Sequence, residues 1–166
     1  VDDVYLQQGD LLEDCPVLAL AEDFDPTDKD RENTVGIIYS DLIVISHTCD
    51  LLNDKLPNVA FCEVFTFERY LELNAGFRKS EFANIQKGRY QGLTLLGKTE
   101  ESKSANLQYV VDLRSIVSLP LAFAKRHALK QNPRYRLQSP FVEHLSQAFG
   151  RCYMRVALPE EIIDLP

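Results

Sequence analysis

Residues 41–65 read DLIVISHTCDLLNDKLPNVAFCEVF, and the rest of the chain arranges itself around them. Leu42, Ile43, Val44 and Ile45 form an unbroken apolar run rich in β-branched side chains, the composition of a strand covered on both faces. Where the run ends, His47, Thr48, Cys49 and Asp50 follow in a row. Asn53, Asp54, Pro57 and Asn58 then supply turn chemistry, and residues 59–65 resume as a second strand carrying Cys62 and Glu63. The pattern predicts a buried strand that delivers reactive side chains to its end and pairs with its successor.

On the N-terminal side, residues 35–39 and 42–46 predict two strands joined by a Ser40-Asp41 turn. Residues 15–20, CPVLAL, predict an edge strand, because Pro16 has no ladder donor. A short strand is predicted over residues 4–6, before a Gly9-Asp10 turn. Residues 22–33, EDFDPTDKDREN, are almost wholly polar and interrupted by Pro26, which predicts an exposed acidic loop. Its acids do not fit a calcium loop, which needs a glycine at the sixth position and a terminal glutamate.

On the C-terminal side, Thr66 is placed to cap a helix over 67–74, with Phe67, Tyr70 and Leu71 at helical spacing and Gly76 as a stop. A short helix over 80–87, a strand over 93–96 and a polar hairpin loop over 97–106 follow. Strands over 107–113 and 115–119 are separated by a kink near Arg114. Pro120 opens a helix running to residue 129, and residues 135–138 predict a last short strand. Ser139-Pro140 then opens a helix to about residue 155, its apolar face marked by Phe141, Leu145, Ala148, Phe149, Cys152 and Val156. The expected fold class is α+β: a compact antiparallel sheet or small β-barrel, with helices inserted and a C-terminal amphipathic helix, in a single domain of residues 1–166.

Composition narrows the function. A hydrophobic fraction of 45% and a charged fraction of 26% are those of a globular domain, and no apolar run is long enough to span a bilayer, so no membrane partner is expected. The opening VDDVYLQQGDLL has neither the basic flank nor the apolar core of a signal peptide, so the default address is cytoplasmic. The 4 cysteines show no CxxC pair and read as thiols, Cys15 and Cys152 as packing residues. Net charge is 18 − 25 = −7, which speaks against a dedicated nucleic-acid binder. Residues 1–34 carry 2 − 11 = −9 while residues 84–155 carry 12 − 4 = +8. Phosphate-binding glycine loops, GxSxG elbows, HExxH helices and paired zinc knuckles are all missing, which removes the common motif-readable enzyme classes.

Two constellations carry chemistry. His47, Cys49 and Asp50 form the candidate catalytic set: an imidazole near a thiol favours the thiolate, the nucleophilic form, and Asp50 could orient a histidine. On a continuing strand His47 and Cys49 would share a face. The same region offers zinc ligands in His47, Cys49 and Cys62, although no cofactor is called for on the first reading. A third use is structural, with Cys49 filling the core and Asp50 pinning the following loop through backbone N–H groups. The second constellation is basic and aromatic: Lys87, Arg89, Tyr90, Arg114, Lys125, Arg126, Arg134, Tyr135 and Arg136. Arginine with stacking rings suits single-stranded RNA, a protein hot spot, or an internal dock for the acidic first 34 residues. The acidic net charge ranks a protein partner first, with Arg134, Tyr135 and Arg136 as its contacts.

Gly9-Asp10, residues 42–46 and residues 59–64 together resemble the small barrel of MazF/PemK-type toxins, in which Gly-Asp opens the barrel and a valine-rich strand leads into a catalytic or substrate loop. The arginine-proline element that those ribonucleases carry before the second strand is not in this chain. VISHTCDL (44–51), VVDLRSIVSLP (110–120) and SPFVEHLSQAFGRCYMRVALP (139–159) resemble a group of bacterial proteins of unassigned function, over most of the chain and with no mechanism implied. The leading expectation is a non-enzymatic interaction or regulatory module with a toxin-like barrel, binding a protein partner. The alternatives are a MazF-like ribonuclease using residues 47–50 and a zinc- or thiol-dependent sensor.

Overall fold

The computed structural model describes residues 4–28, 34–96, 108–131 and 133–154. Five strands, β1 (Leu11–Leu20), β2 (Val35–Val44), β3 (Asn58–Thr66), β4 (Leu93–Leu96) and β5 (Tyr109–Pro120), form one antiparallel sheet in the order β1-β2-β3-β5-β4. Among the described residues the sheet is open, with β1 and β4 at its edges, so the α+β expectation is met in its sheet form rather than as a closed barrel. The helices are α1 (Thr48–Leu52), α2 (Phe67–Leu73), α3 (Phe82–Gln86), α4 (Leu121–Leu129) and α5 (Phe141–Tyr153). Among the described residues no helix is long and apolar enough to cross a membrane.

β2 corrects the expected turn at Ser40-Asp41. The strand runs straight through both residues, because β1 pairs with it on either side of them, from Leu20↔Val35 to Cys15↔Ser40 and again at Leu12↔Leu42 and Leu11↔Ile43. Serine in the first central position also lacks the left-handed preference that a two-residue hairpin turn demands. The irregularity falls in β1 instead, as a bulge between Leu12 and Cys15 where Asp14 takes a φ of 48°. Aspartate tolerates that conformation better than most residues, and the Asp14 backbone N–H donates to Asp41 Oδ1 at 3.0 Å. The kink expected near Arg114 is real: β5 is one strand, but its register slips where Cys62 faces Ile116 and Glu63 faces Asp112.

Alternation along the strands separates two apolar layers. Leu12, Leu42, Val44, Val59 and Phe61 pack with Leu51 of α1 and with Leu121, Ala124 and Ala128 of α4. Ile43, Cys62, Val64 and Val111 point to the other face, where Leu145, Ala148, Phe149 and Cys152 of α5 cover them. A third cluster gathers Phe67 and Tyr70 of α2 and Ile85 of α3 over Leu93 and Val110. The expected buried run is confirmed, since Leu42, Ile43 and Val44 are fully buried. Thr66 caps α2 as expected, its hydroxyl accepting from Arg69 N at 3.2 Å.

Other expectations shift. Residues 4–6 are not a strand, and Leu6 is instead a core side chain. Residues 135–138 form only a bridge between Asp10 and Arg136. Pro140, not Ser139, occupies the cap position of α5, which has no side-chain cap bond, and Phe141 is exposed rather than part of the covered face. Residues 29–33 of the acidic loop, residues 97–106 and Val156 lie outside the described residues.

Candidate functional site

The end of β2 builds the first candidate. Ile45 N and Ser46 N donate to Ala60 O at 2.9 and 3.3 Å, and Ala60 N donates to Ser46 Oγ at 2.9 Å, so the chain stays pinned to β3 until it turns into α1. Leu51 is the buried anchor of α1, and Thr48 Oγ1 accepts from Gln8 N at 3.1 Å. With those two inward, Cys49 is turned to solvent. Its Sγ lies 3.4 Å from His47 Nδ1 and 3.6 Å from Asp50 Oδ1. The carboxylate of Asp50 also pairs with Lys55 at 3.5 Å.

His47, Cys49 and Asp50 therefore do meet, but on a helical turn rather than along a strand. Leu51, not Cys49, fills the core there, which corrects the structural reading of Cys49. The sulfur therefore has both an imidazole nitrogen and a carboxylate oxygen within 3.6 Å. Cys62 does not join them. Strand alternation turns it to the opposite face of the sheet, beneath α5, where it is fully buried. That burial, with Asp112 and Cys152 adding to it, pushes its thiol up to about 12. Among the described residues no group of three or more His, Cys, Asp or Glu side chains is placed to hold a metal ion.

The four thiols should accordingly differ in reactivity. Cys15 is also pushed up to about 12, by burial and then by Asp41 and Asp14. Under native conditions near neutral pH, iodoacetamide is expected to modify exposed Cys49 at least about tenfold faster than Cys15 or Cys62. Peptide mass spectrometry of a time course reads the rates, and comparable rates at all three would contradict the burial pattern.

The basic constellation is reassigned. Arg134 is 2% exposed and cannot face a partner. Its Nε donates to Asp10 Oδ2 at 3.1 Å, its Nη1 to Ala128 O at 3.1 Å and its Nη2 to Tyr5 O at 2.9 Å. Arg136 Nε donates to the other Asp10 oxygen, and its Nη2 reaches Asp10 Oδ2 at 3.0 Å and Tyr5 O at 2.8 Å. Tyr135 between them is half-buried, and its carbonyl accepts from Leu11 N at 2.9 Å. The expected partner contact at Arg134, Tyr135 and Arg136 is thus an internal dock for one acid of the N-terminal segment, fully buried Asp10. Arg114 is likewise engaged, forking onto Asp112 at 2.8 and 2.6 Å and donating to Tyr70 Oη at 2.9 Å. The hydrogen bond to Asp112 is the main cause that raises the Arg114 pKa.

A feature not foreseen lies at the other end of β2. Only residues 41–44 pair with β3, so β1 and β2 run on beyond the sheet as a two-stranded ribbon. Residues opposite one another in an antiparallel pair share a face, which places Pro16, Leu18 and Leu20 beside Tyr39, Ile37 and Val35. This face continues the one that α5 covers at Ile43, but here Leu18 is 73% exposed, Ile37 61% and Tyr39 69%. Carboxylates bracket it. Glu13, Asp14 and Asp41 stand at its base, where burial and then Asp41 and Asp14 raise the Glu13 carboxyl above its ordinary range. Residues 22–28, which leave β1 at its tip, carry four acidic residues and no basic one. The sequence did hold a signal for it: CPVLAL and VGIIY are apolar at both parities although the first was expected at a sheet edge. No protein-family model matches the chain, and no curated protein matches it.

Proposed function

We propose that the protein is a protein-interaction module and that it docks its partner on the ribbon face of β1 and β2. The observation that carries this reading is the contiguous apolar surface of Leu18, Leu20, Val35, Ile37 and Tyr39, each at least half exposed. Single exposed apolar side chains need no explanation, but a continuous face of them on an edge hairpin is an association or aggregation hazard unless something covers it. A tyrosine among aliphatic neighbours is also the composition of an interface centre.

RNA is the weaker fit. The net charge of −7 opposes it, and Arg114, Arg134 and Arg136 are spent on internal carboxylates. The thiol-sensor reading is kept as a second one by the 3.4 Å contact between Cys49 and His47 in a solvent-exposed position. Site-specific photo-crosslinking in cells tests the leading reading, with a benzophenone amino acid at position 37 and, as control, at exposed position 68 of α2. A discrete protein adduct is expected from position 37 and not from position 68. No adduct at 37, or specific RNA cleavage that is lost in Cys49→Ser or Asp50→Asn, would overturn the module in favour of the other classes.

A further inference from the structure

The ribbon's surroundings say what kind of partner fits it, granted that the ribbon is the docking face. Standard interfaces involve about 20–30 residues a side, so the apolar side chains of the ribbon can only be the centre of one. The rim would then fall on what flanks them along the strands, and at both ends that is acid. Asp41 lies on the same strand face as Tyr39 and Ile37 by alternation, beside Asp14, whose N–H it accepts, and near Glu13. Residues 22–28, which leave the ribbon at its other end, carry four acidic residues and no basic one.

A second copy of this chain is the poorer occupant. Stacking the same face on itself brings a carboxylate cluster of one copy against a carboxylate cluster of the other in either orientation, and like-charge contacts at an interface are costly. A basic partner meets opposite charge at both ends. From position 35 to position 41 a strand advances roughly 20 Å, at about 3.3 Å per residue. We infer that the ribbon takes a basic protein segment, with an apolar centre that covers Leu18, Ile37 and Tyr39 and with lysine or arginine groups about 20 Å apart at its two ends. The apolar centre supplies burial, and the flanking cations supply the choice of partner and its register along the ribbon.

The test uses two fluorescein-labelled peptides with the same centre, Leu-Val-Leu-Tyr-Leu, one flanked on each side by two lysines and the other by two glutamates. Fluorescence anisotropy is measured on the full chain, and its sedimentation velocity is recorded in parallel. The lysine peptide is expected to bind at least about tenfold tighter than the glutamate peptide at 0.1 M salt, with the preference shrinking in 0.5 M salt. The Leu18→Ser/Ile37→Ser variant, and independently Leu20→Ser/Val35→Ser, should weaken the lysine peptide at least about tenfold, because the centre is lost. Asp41→Asn should reduce the charge preference from both sides, weakening the lysine peptide and tightening the glutamate peptide. Equal binding of both peptides that still depends on the ribbon would overturn the basic partner but leave the docking face standing. Binding that ignores both double variants would overturn the docking face as well. A dimer dispersed by Ile37→Ser would show that a second copy occupies the ribbon and would also overturn the inference.

Discussion

Replacing Asp10 with Ala is expected to lower the free energy of unfolding by about 3–5 kcal/mol, the range for removing one member of a buried ion pair. The carboxylate is fully buried and holds two guanidinium groups at once, Arg134 through Nε at 3.1 Å and Arg136 through Nε and Nη2. It also accepts the Gln7 backbone N–H at 2.9 Å. Without it Arg134 keeps its bonds to the carbonyls of Ala128 and Tyr5 but loses the charge pairing that Asp10 supplies at a buried position. The same carboxylate ties the N-terminal segment to residues 134–136, where Leu11 N also donates to Tyr135 O and Leu137 N to Gly9 O. Asp10→Asn, which keeps the shape and removes the charge, should lose most of the same stability. Urea denaturation followed by circular dichroism measures both variants, and a loss under about 1 kcal/mol would mean that the pair contributes no more than an exposed one does.

Phe61→Ala is expected to cost about 3–5 kcal/mol, for a different reason. Phe61 is the largest of the fully buried side chains and stands in the middle of β3, beneath α1 and α4. Its removal opens a cavity among Val44, Leu51 and Ala124, side chains held by the strands and helices around them. Phe149 on α5 is only partly buried, so Phe149→Ala should cost less, about 1–3 kcal/mol. Equal losses at the two positions would place the main core on the wrong face of the sheet.

How much of this could be read from the sequence depended on how local the signal was. The buried run at 42–44, the Thr66 cap and the break near Arg114 are local, and each appears where the residue pattern put it. The Ser40-Asp41 turn failed because polar residues in a strand can be satisfied across the sheet. Ser40 Oγ donates to Glu63 Oε1 at 2.7 Å, and Asp41 Oδ1 accepts from Asp14 N at 3.0 Å. Arg134 and Arg136 looked like surface cations because their carboxylate lies more than 120 residues away along the chain. Nothing in the spacing of either segment announces that pairing. The cluster at His47, Cys49 and Asp50 was found from its residue types, but its geometry was misread. The strand stops at Val44, and the turn into α1 gives Leu51 rather than Cys49 to the core. The ribbon was missed because its apolar face exists only once β1 and β2 are in register.

An uncovered apolar face adds nothing to the stability of the chain that carries it, and this makes the docking surface directly measurable. The measurement is the denaturation midpoint of Leu18→Ser and Ile37→Ser, singly and together, on the isolated full chain. Surface substitutions away from specific contacts change stability by about 0.5 kcal/mol or less, and that is the expected result for each single variant. A loss of about 2 kcal/mol or more at either position is the signature of a side chain already buried, and it would contradict a ribbon open to a partner.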